Sequence, residues 1–261
     1  MMFAQVLAAE ILKLRRCKVT WFSLAALSLG PLAIALMMWI VREPGRAAKL
    51  GLLGTKANLS GLTATWPAYF SMLTMVVGIG GMLLLAFVVA FVFGREYTEG
   101  TAKNLLALPV GRHWFALAKL VVAAVWWAIL VFAVLVEGFV LGALLRLPGF
   151  SSSLAANAVR DALLAAAVAY LLVPVIAWIA MLGRGYLPPL GFALAMLAVG
   201  DVLSHTGWAA WFPWSVVPLL IGAIGKPATT IAPVSLVVVA LTFVGGIAAT
   251  IAQLRWADNA Q

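Results

Sequence analysis

Residues able to do chemistry are few and scattered in this 261-residue chain. The two histidines, His113 and His205, fall on opposite faces of the membrane in the topology derived below, so they cannot share a metal ion. A serine nucleophile would have to pair Ser60 with His205. Ser60 precedes the second apolar run and His205 ends the fifth, which leaves the base away from the hydroxyl. Cys17 has no second cysteine to pair with and stands among Arg15, Arg16 and Lys18. Glu137 is different. It lies inside a long apolar run, where a carboxylate is costly and by default marks a substrate path or a pairing across a dimer. The alternative is a solvated position without a role near the membrane surface, since Arg146 follows nine residues later. The phosphate-cradling pattern G-x-x-x-x-G-K-[ST] does not occur: Gly225-Lys226 is followed by Pro227 and preceded at the required spacing by Leu220. No ATPase site and no catalytic set is expected in this chain.

The elements that position these residues are membrane helices. Hydrophobic residues make up 65% of the chain, charged residues 10%, and the mean hydropathy is +1.12, which excludes an ordinary water-soluble domain. A net charge of +9 does not point to nucleic acid, because the 17 Lys and Arg are spread between apolar runs instead of forming a patch. A span needs roughly 20 apolar residues at about 1.5 Å each. Five segments meet this requirement: 19–41, 68–93 opened by Trp66-Pro67, 117–145, 162–182 with a kink at Pro174, and 233–254; a sixth, 188–201, opened by Pro188-Pro189 and stopping near Asp201, is expected to be a shorter helix than the others. Lys119 is expected to snorkel from one end of the third span, and Arg160 and Asp161 to precede the fourth as anchors. Tyr69, Tyr170 and the glycine runs at 78–81 and 245–246 are expected to serve close helix packing. The fold class is therefore all-α, a polytopic membrane protein forming one domain over 1–261.

Between the fifth and sixth spans, residues 204–232 are apolar but broken by Pro213, Pro218, Gly222, Gly225 and Pro227, and carry Trp208, Trp211 and Trp214. This pattern predicts a broken outer hairpin, re-entrant or interfacial, in preference to a plain loop. Residues 1–18 place Phe3, Val6, Leu7, Ile11 and Leu14 at helical spacing, with Lys13, Arg15, Arg16 and Lys18 at the far end, as expected of an amphipathic helix on anionic lipid headgroups. With the amino terminus cytoplasmic, ten Lys and Arg face inward and seven outward, which agrees with the positive-inside rule and puts both termini in the cytoplasm.

The segment 95–113 after the second span is too polar to remain in lipid. Gly100 breaks the chain, Thr101 can cap a short helix over 102–108, and Pro109 ends it. Leu105, Leu106 and Leu108 are then either knobs for a groove on a cytoplasmic partner or apolar contacts with the headgroup layer. The run G-R-E-Y-T-E-G-T-A-K-N-L-L-A-L-P-V-G-R at 94–112, continued by F-A-L-A-K-L at 115–120, resembles permease subunits of type-2 ATP-binding-cassette exporters. E-I-L-K-L-R-R at 10–16, followed by an aromatic-led span, is similar to their bacitracin-resistance and lantibiotic-immunity branch. Gly111 departs mildly from that pattern, where a small polar residue is common.

The resemblance implies a half-transporter that exports an amphipathic or hydrophobic substrate, a peptide antibiotic among the candidates. Glu96, Gly100, Thr101, Leu105, Leu106, Pro109 and Arg112 would couple it to a separate ATPase subunit, which binds ATP and Mg. It also implies a second permease chain, identical or homologous, a surrounding of membrane lipid, and the bacterial cytoplasmic membrane as location. A channel or assembly subunit without ATP coupling is the rival, and it would leave the loop at 95–113 unexplained.

Overall fold

The computed structural model describes residues 2–52, 62–101, 111–222 and 231–256. Its first two helices are α1 (Met2–Arg16) and α2 (Lys18–Arg42), which meet at Cys17 in extended backbone. A short α3 (Pro44–Lys49) follows. The second span is α4 (Trp66–Met75), a π-helical turn at Val76–Gly80, and α5 (Gly81–Thr98). The third is α6 (Arg112–Leu144). The fourth is α7 (Ser152–Leu171) and α8 (Val173–Leu182), the fifth α9 (Leu187–Ser204), and the sixth α11 (Pro233–Trp256), preceded by the short α10 (Val216–Ile221). Six helices are long and apolar enough to cross a membrane, and no strand occurs among the described residues. Phe132, Val237, Leu241 and Val244 are exposed in the middle of such helices, an arrangement that costs nothing when hydrocarbon is the solvent.

The span boundaries follow the physics read from sequence at most positions. Pro67 sits in the first turn of α4, where its missing N–H is no loss. Pro174 interrupts the fourth span, and the break falls at Leu172, just before it. The fifth span is the shortest of the six, at 18 residues. Two expectations are corrected. The fourth span starts ten residues earlier than the apolar run, because Ser151 caps it through its side-chain oxygen and the Leu154 N–H. Arg160 and Asp161 thus lie within α7 as an adjacent ion pair at 3.0 Å instead of preceding the span.

Small residues set the closest helix approaches, as a bundle in lipid requires. Gly246 on α11 meets the break in the fourth span: an added Cβ would lie 2.8 Å from the Val175 N and 2.9 Å from the Pro174 Cβ. One turn further on, the Thr250 hydroxyl donates to the Pro174 carbonyl at 3.1 Å. Gly81 admits the Trp127 ring, whose indole N–H donates to the Ala166 carbonyl at 3.0 Å. Trp127→Phe keeps most of the packing but leaves that carbonyl without its donor, so a loss of about 1 kcal/mol is expected, read as a lower unfolding midpoint in detergent.

After the fifth span the chain is mostly exposed as far as Trp211 and then turns into the fold. Two short 3₁₀ turns lead into α10, whose Val216, Val217, Leu220 and Ile221 are buried, with Ile221 against Gly78 in the π-turn. The buried Ser215 hydroxyl shares its one proton between the carbonyls of Ala209 and Phe212, which gives these backbone groups a donor inside the fold. Trp214 is buried, whereas Trp208 and Trp211 are exposed. Residues 223–230 lie outside the described residues.

Candidate functional site

Amino-terminal helix, loop root and last helix meet at one end of the bundle. α1 packs on α6, as its apolar stripe dictates, but the buried stripe is shifted from the expected one. Val6, Glu10 and Leu14 point inward, and Ile11 is 42% exposed. The shift follows from Glu10, which sits among apolar neighbours only because cations await it there.

Glu10 is 5% exposed, Glu96 on α5 is 7% and Lys119 on α6 is 3%. The Lys119 ammonium donates to Glu10 Oε2 at 3.0 Å, to Glu96 Oε1 at 2.8 Å and to the Val92 carbonyl at 3.0 Å. Its three protons are thereby all used. Lys13 completes the cluster, donating to Glu10 Oε1 at 2.5 Å and Glu96 Oε1 at 3.2 Å. Two carboxylates and two ammonium groups cancel in charge, the condition under which buried ions are tolerated. Lys119 therefore does not snorkel. A nearer pair of counter-ions inside the protein outcompetes the headgroup layer.

Burial alone would push the Glu10 carboxyl up, but Lys119 and then Lys13 more than offset it and hold it below its ordinary value. Burial likewise pulls Lys13 down, and Glu10 and then Glu96 outweigh it and raise it. Glu10 thus stabilises the docked α1 above the ordinary carboxylate range and loses that contribution as pH falls through its depressed value. The Lys13 contribution is full below its ordinary value and is lost as pH rises through the raised one. Between these limits, both groups stay charged.

Of the candidate coupling residues, Glu96 belongs to this cluster, and Gly100, Thr101 and Arg112 are the others among the described residues. α5 continues as helix to Thr98, with Arg95 and Glu99 3.8 Å apart across one turn. Gly100 takes a positive φ of 68°, the left-handed backbone that ends a helix, and its N–H donates to the Tyr97 carbonyl at 3.2 Å. The Thr101 hydroxyl turns back to the Glu96 carbonyl at 3.4 Å. The helix Thr101 was expected to cap, with Leu105, Leu106 and Pro109, lies outside the described residues. Arg112 opens α6 and donates from Nη1 to the Leu254 carbonyl at 3.0 Å. The described residues on either side of 102–110 are thus tied into the fold, Glu96 to α1 and α6 and Arg112 to α11.

Glu137 is nowhere near this cluster. It is half-buried toward the opposite end of α6, within electrostatic reach of Tyr69, beside Gly138 against Leu73. The Tyr69 hydroxyl is buried and finds no hydrogen-bond partner among the described residues. Separately, α2, the π-turn and α9 enclose a groove of about 830 Å³, lined without a charged residue by Phe22, Leu27, Met37, Met75, Ile79 and Leu194, among others. No group of three potential metal ligands occurs among the described residues.

Sequence reasoning missed the Lys13 and Lys119 contacts. The available signal was Glu10, an acid at a position one turn from both Val6 and Leu14, which marks a charge facing inward and needing a partner. The two short motifs noted in the sequence turn out to be the two sides of one contact: Glu10 and Lys13 come from the first, Glu96 and Lys119 from the second.

Residues 6–200 match the family described as ABC-2 family transporter protein. The bacitracin transport permease protein BCRB of Bacillus licheniformis is 30% identical over 178 residues, which cover 68% of this chain and 85% of that protein. No solved structure matches. A six-span helical chain carrying that family's pattern across three quarters of its length is a transport component that works with an ATPase, and the chain belongs to the ABC-2 transporter family as a membrane-spanning permease subunit.

Proposed function

We propose that this chain exports an amphipathic or hydrophobic substrate, a peptide antibiotic of the bacitracin type being the leading class, as one half of a permease pair driven by a separate ATP-binding-cassette ATPase. The observation that carries the ATP-coupled reading is the pair of ties on either side of 102–110. A loop that merely rested on lipid headgroups would have no need of a buried four-charge root and a second tie to the last helix. In this reading Glu96, Gly100, Thr101 and Arg112 set the roots, and Leu105, Leu106 and Pro109 shape the segment that enters a groove on the ATPase. The ATPase binds ATP and Mg. Closure of its two copies shifts the permease pair between inward and outward access. The chain sits in the bacterial cytoplasmic membrane with both termini inside, as the balance of Lys and Arg supports.

The relative's name ties that protein to bacitracin, and the charge-free groove suits the hydrocarbon part of such a cargo. Glu137 and the unpartnered Tyr69 hydroxyl form the polar counterpart toward the other membrane face. Glu137→Gln is expected to insert and assemble normally while lowering export by about tenfold, since it removes about 1.4 kcal/mol or more of polar interaction along the path.

Co-expression of the chain with its ATPase in a sensitive bacterium tests the function. Resistance to bacitracin-type peptides should rise and should vanish when the ATPase Walker lysine is replaced. Ion conductance through the chain alone in a planar bilayer, unaffected by the ATPase, would favour a channel instead.

A further inference from the structure

We infer that the amino-terminal helix α1 is a moving part of the transport cycle, latched to the loop root by Lys119 and hinged at Cys17. The inference rests on the ATPase-docking reading of loop 102–110 and deepens it.

Lys119 is shared. Its ammonium bonds a carboxylate on α1 and another on α5, the last helix before the loop, so these two helices hold one counter-ion between them. A displacement of Glu96 when the segment after α5 is pushed cannot leave Glu10 untouched, because both ammonium groups that Glu96 engages, Lys119 and Lys13, are also bonded to Glu10, and buried charges must stay paired. Lys13 offers the alternative partner, since it already touches both carboxylates. The cluster therefore has two neutral pairings available, and α1 follows the one chosen. Hinge geometry agrees. α1 ends at Arg16 and α2 begins at Lys18, with Cys17 extended at φ −86° and ψ 139° between them. The Thr20 hydroxyl bonds the Leu14 carbonyl across this joint and ties off the end of α1 without continuing the helix. Beyond the cluster, Val6 packs α1 against Phe115 and Ala118 and Phe3 lies against Trp114, while Leu14, next to the hinge, is buried in the main core and forms the fixed end about which the rest of α1 swings. Lys119 thus serves as a positioning residue, acting on transport through Glu96 and α1 with no contact to substrate.

Cys17 is the single cysteine of the chain and is partly exposed, so it reports the hinge without added probes. In the permease–ATPase complex reconstituted into lipid nanodiscs, with the ATPase free of accessible thiols, the rate of maleimide labelling at Cys17 should differ by about threefold or more between nucleotide-free and ATP–vanadate-trapped states. Lys119→Met should abolish that difference and lower substrate exported per ATP hydrolysed by about tenfold, with the ATPase still bound. Glu10→Gln combined with Lys119→Met should restore much of both, because Glu96 and Lys13 then form a neutral pair that again joins α1 to α5. Equal labelling of the wild-type complex in the two states would overturn the inference, whatever the variants do. So would a Lys119→Met complex that exports at the wild-type ratio, or a double variant no better than the single. Failure of the reading beneath it has a different signature, since the wild-type chain would then bind no ATPase.

Discussion

Replacing Leu105 and Leu106 together with Asp is expected to strip the ATPase from the permease and abolish export, while the chain still inserts and folds. The two leucines belong to the segment 102–110, and the residues flanking it, Glu96 and Arg112, are bonded within the fold. Substitutions inside the segment leave those bonds in place, so the bundle has no reason to fail. Two apolar anchors turned into carboxylates at an interface core cost at least about 3 kcal/mol, which is more than a hundredfold in affinity. The check is co-purification of the ATPase with the variant, beside a detergent unfolding midpoint matching the wild type. Unchanged affinity would place the leucines on the headgroup layer.

Gly246→Leu is expected to have the largest effect on the fold itself. Gly246 stands where α11 touches the backbone of the broken fourth span, and even a Cβ would come within 2.8 Å of the Val175 N. The nearest atoms belong to a backbone that Pro174 already constrains, so no flexible side chain can swing away. Overpacking in a well-filled core costs typically 1–3 kcal/mol, and contact with fixed backbone puts this site at or beyond the upper end. Low yield and aggregation in size-exclusion chromatography should result. Gly245→Leu is the control, because a Cβ there meets nothing within 4 Å, and it should behave as wild type.

The sequence made the spans legible because hydrocarbon demands a long charge-free helix and little else. Pro67, Pro174 and Gly100 act through local backbone geometry, and each does in the structure what its chemistry requires. The start of α7 was not legible, since the Ser151 cap starts the helix nearly three turns of mixed polarity ahead of the apolar run. Burial of the segment after the fifth span was half legible: prolines and tryptophans predicted a broken hairpin, but not that Trp214 turns inward while Trp208 and Trp211 face out. In the candidate site, Glu96 and Arg112 were named as coupling residues by resemblance, and the structure gives them in-chain partners, Lys119 and the Leu254 carbonyl, that resemblance did not supply. Lys119 was misread because a lysine near a span end has two options, headgroups or an internal carboxylate. Choosing between them requires knowing that Glu10, over a hundred residues away in sequence, lies 3.0 Å off.

Whether this permease works through a docked ATPase is decided by purifying the chain from its native membrane in mild detergent and identifying by mass every protein that stays bound. An ATP-binding-cassette ATPase should be recovered in stoichiometric amount, and should be absent when Leu105 and Leu106 are Asp. Recovery of the chain without any ATPase, under conditions that keep established transporters of this kind intact, would contradict ATPase docking.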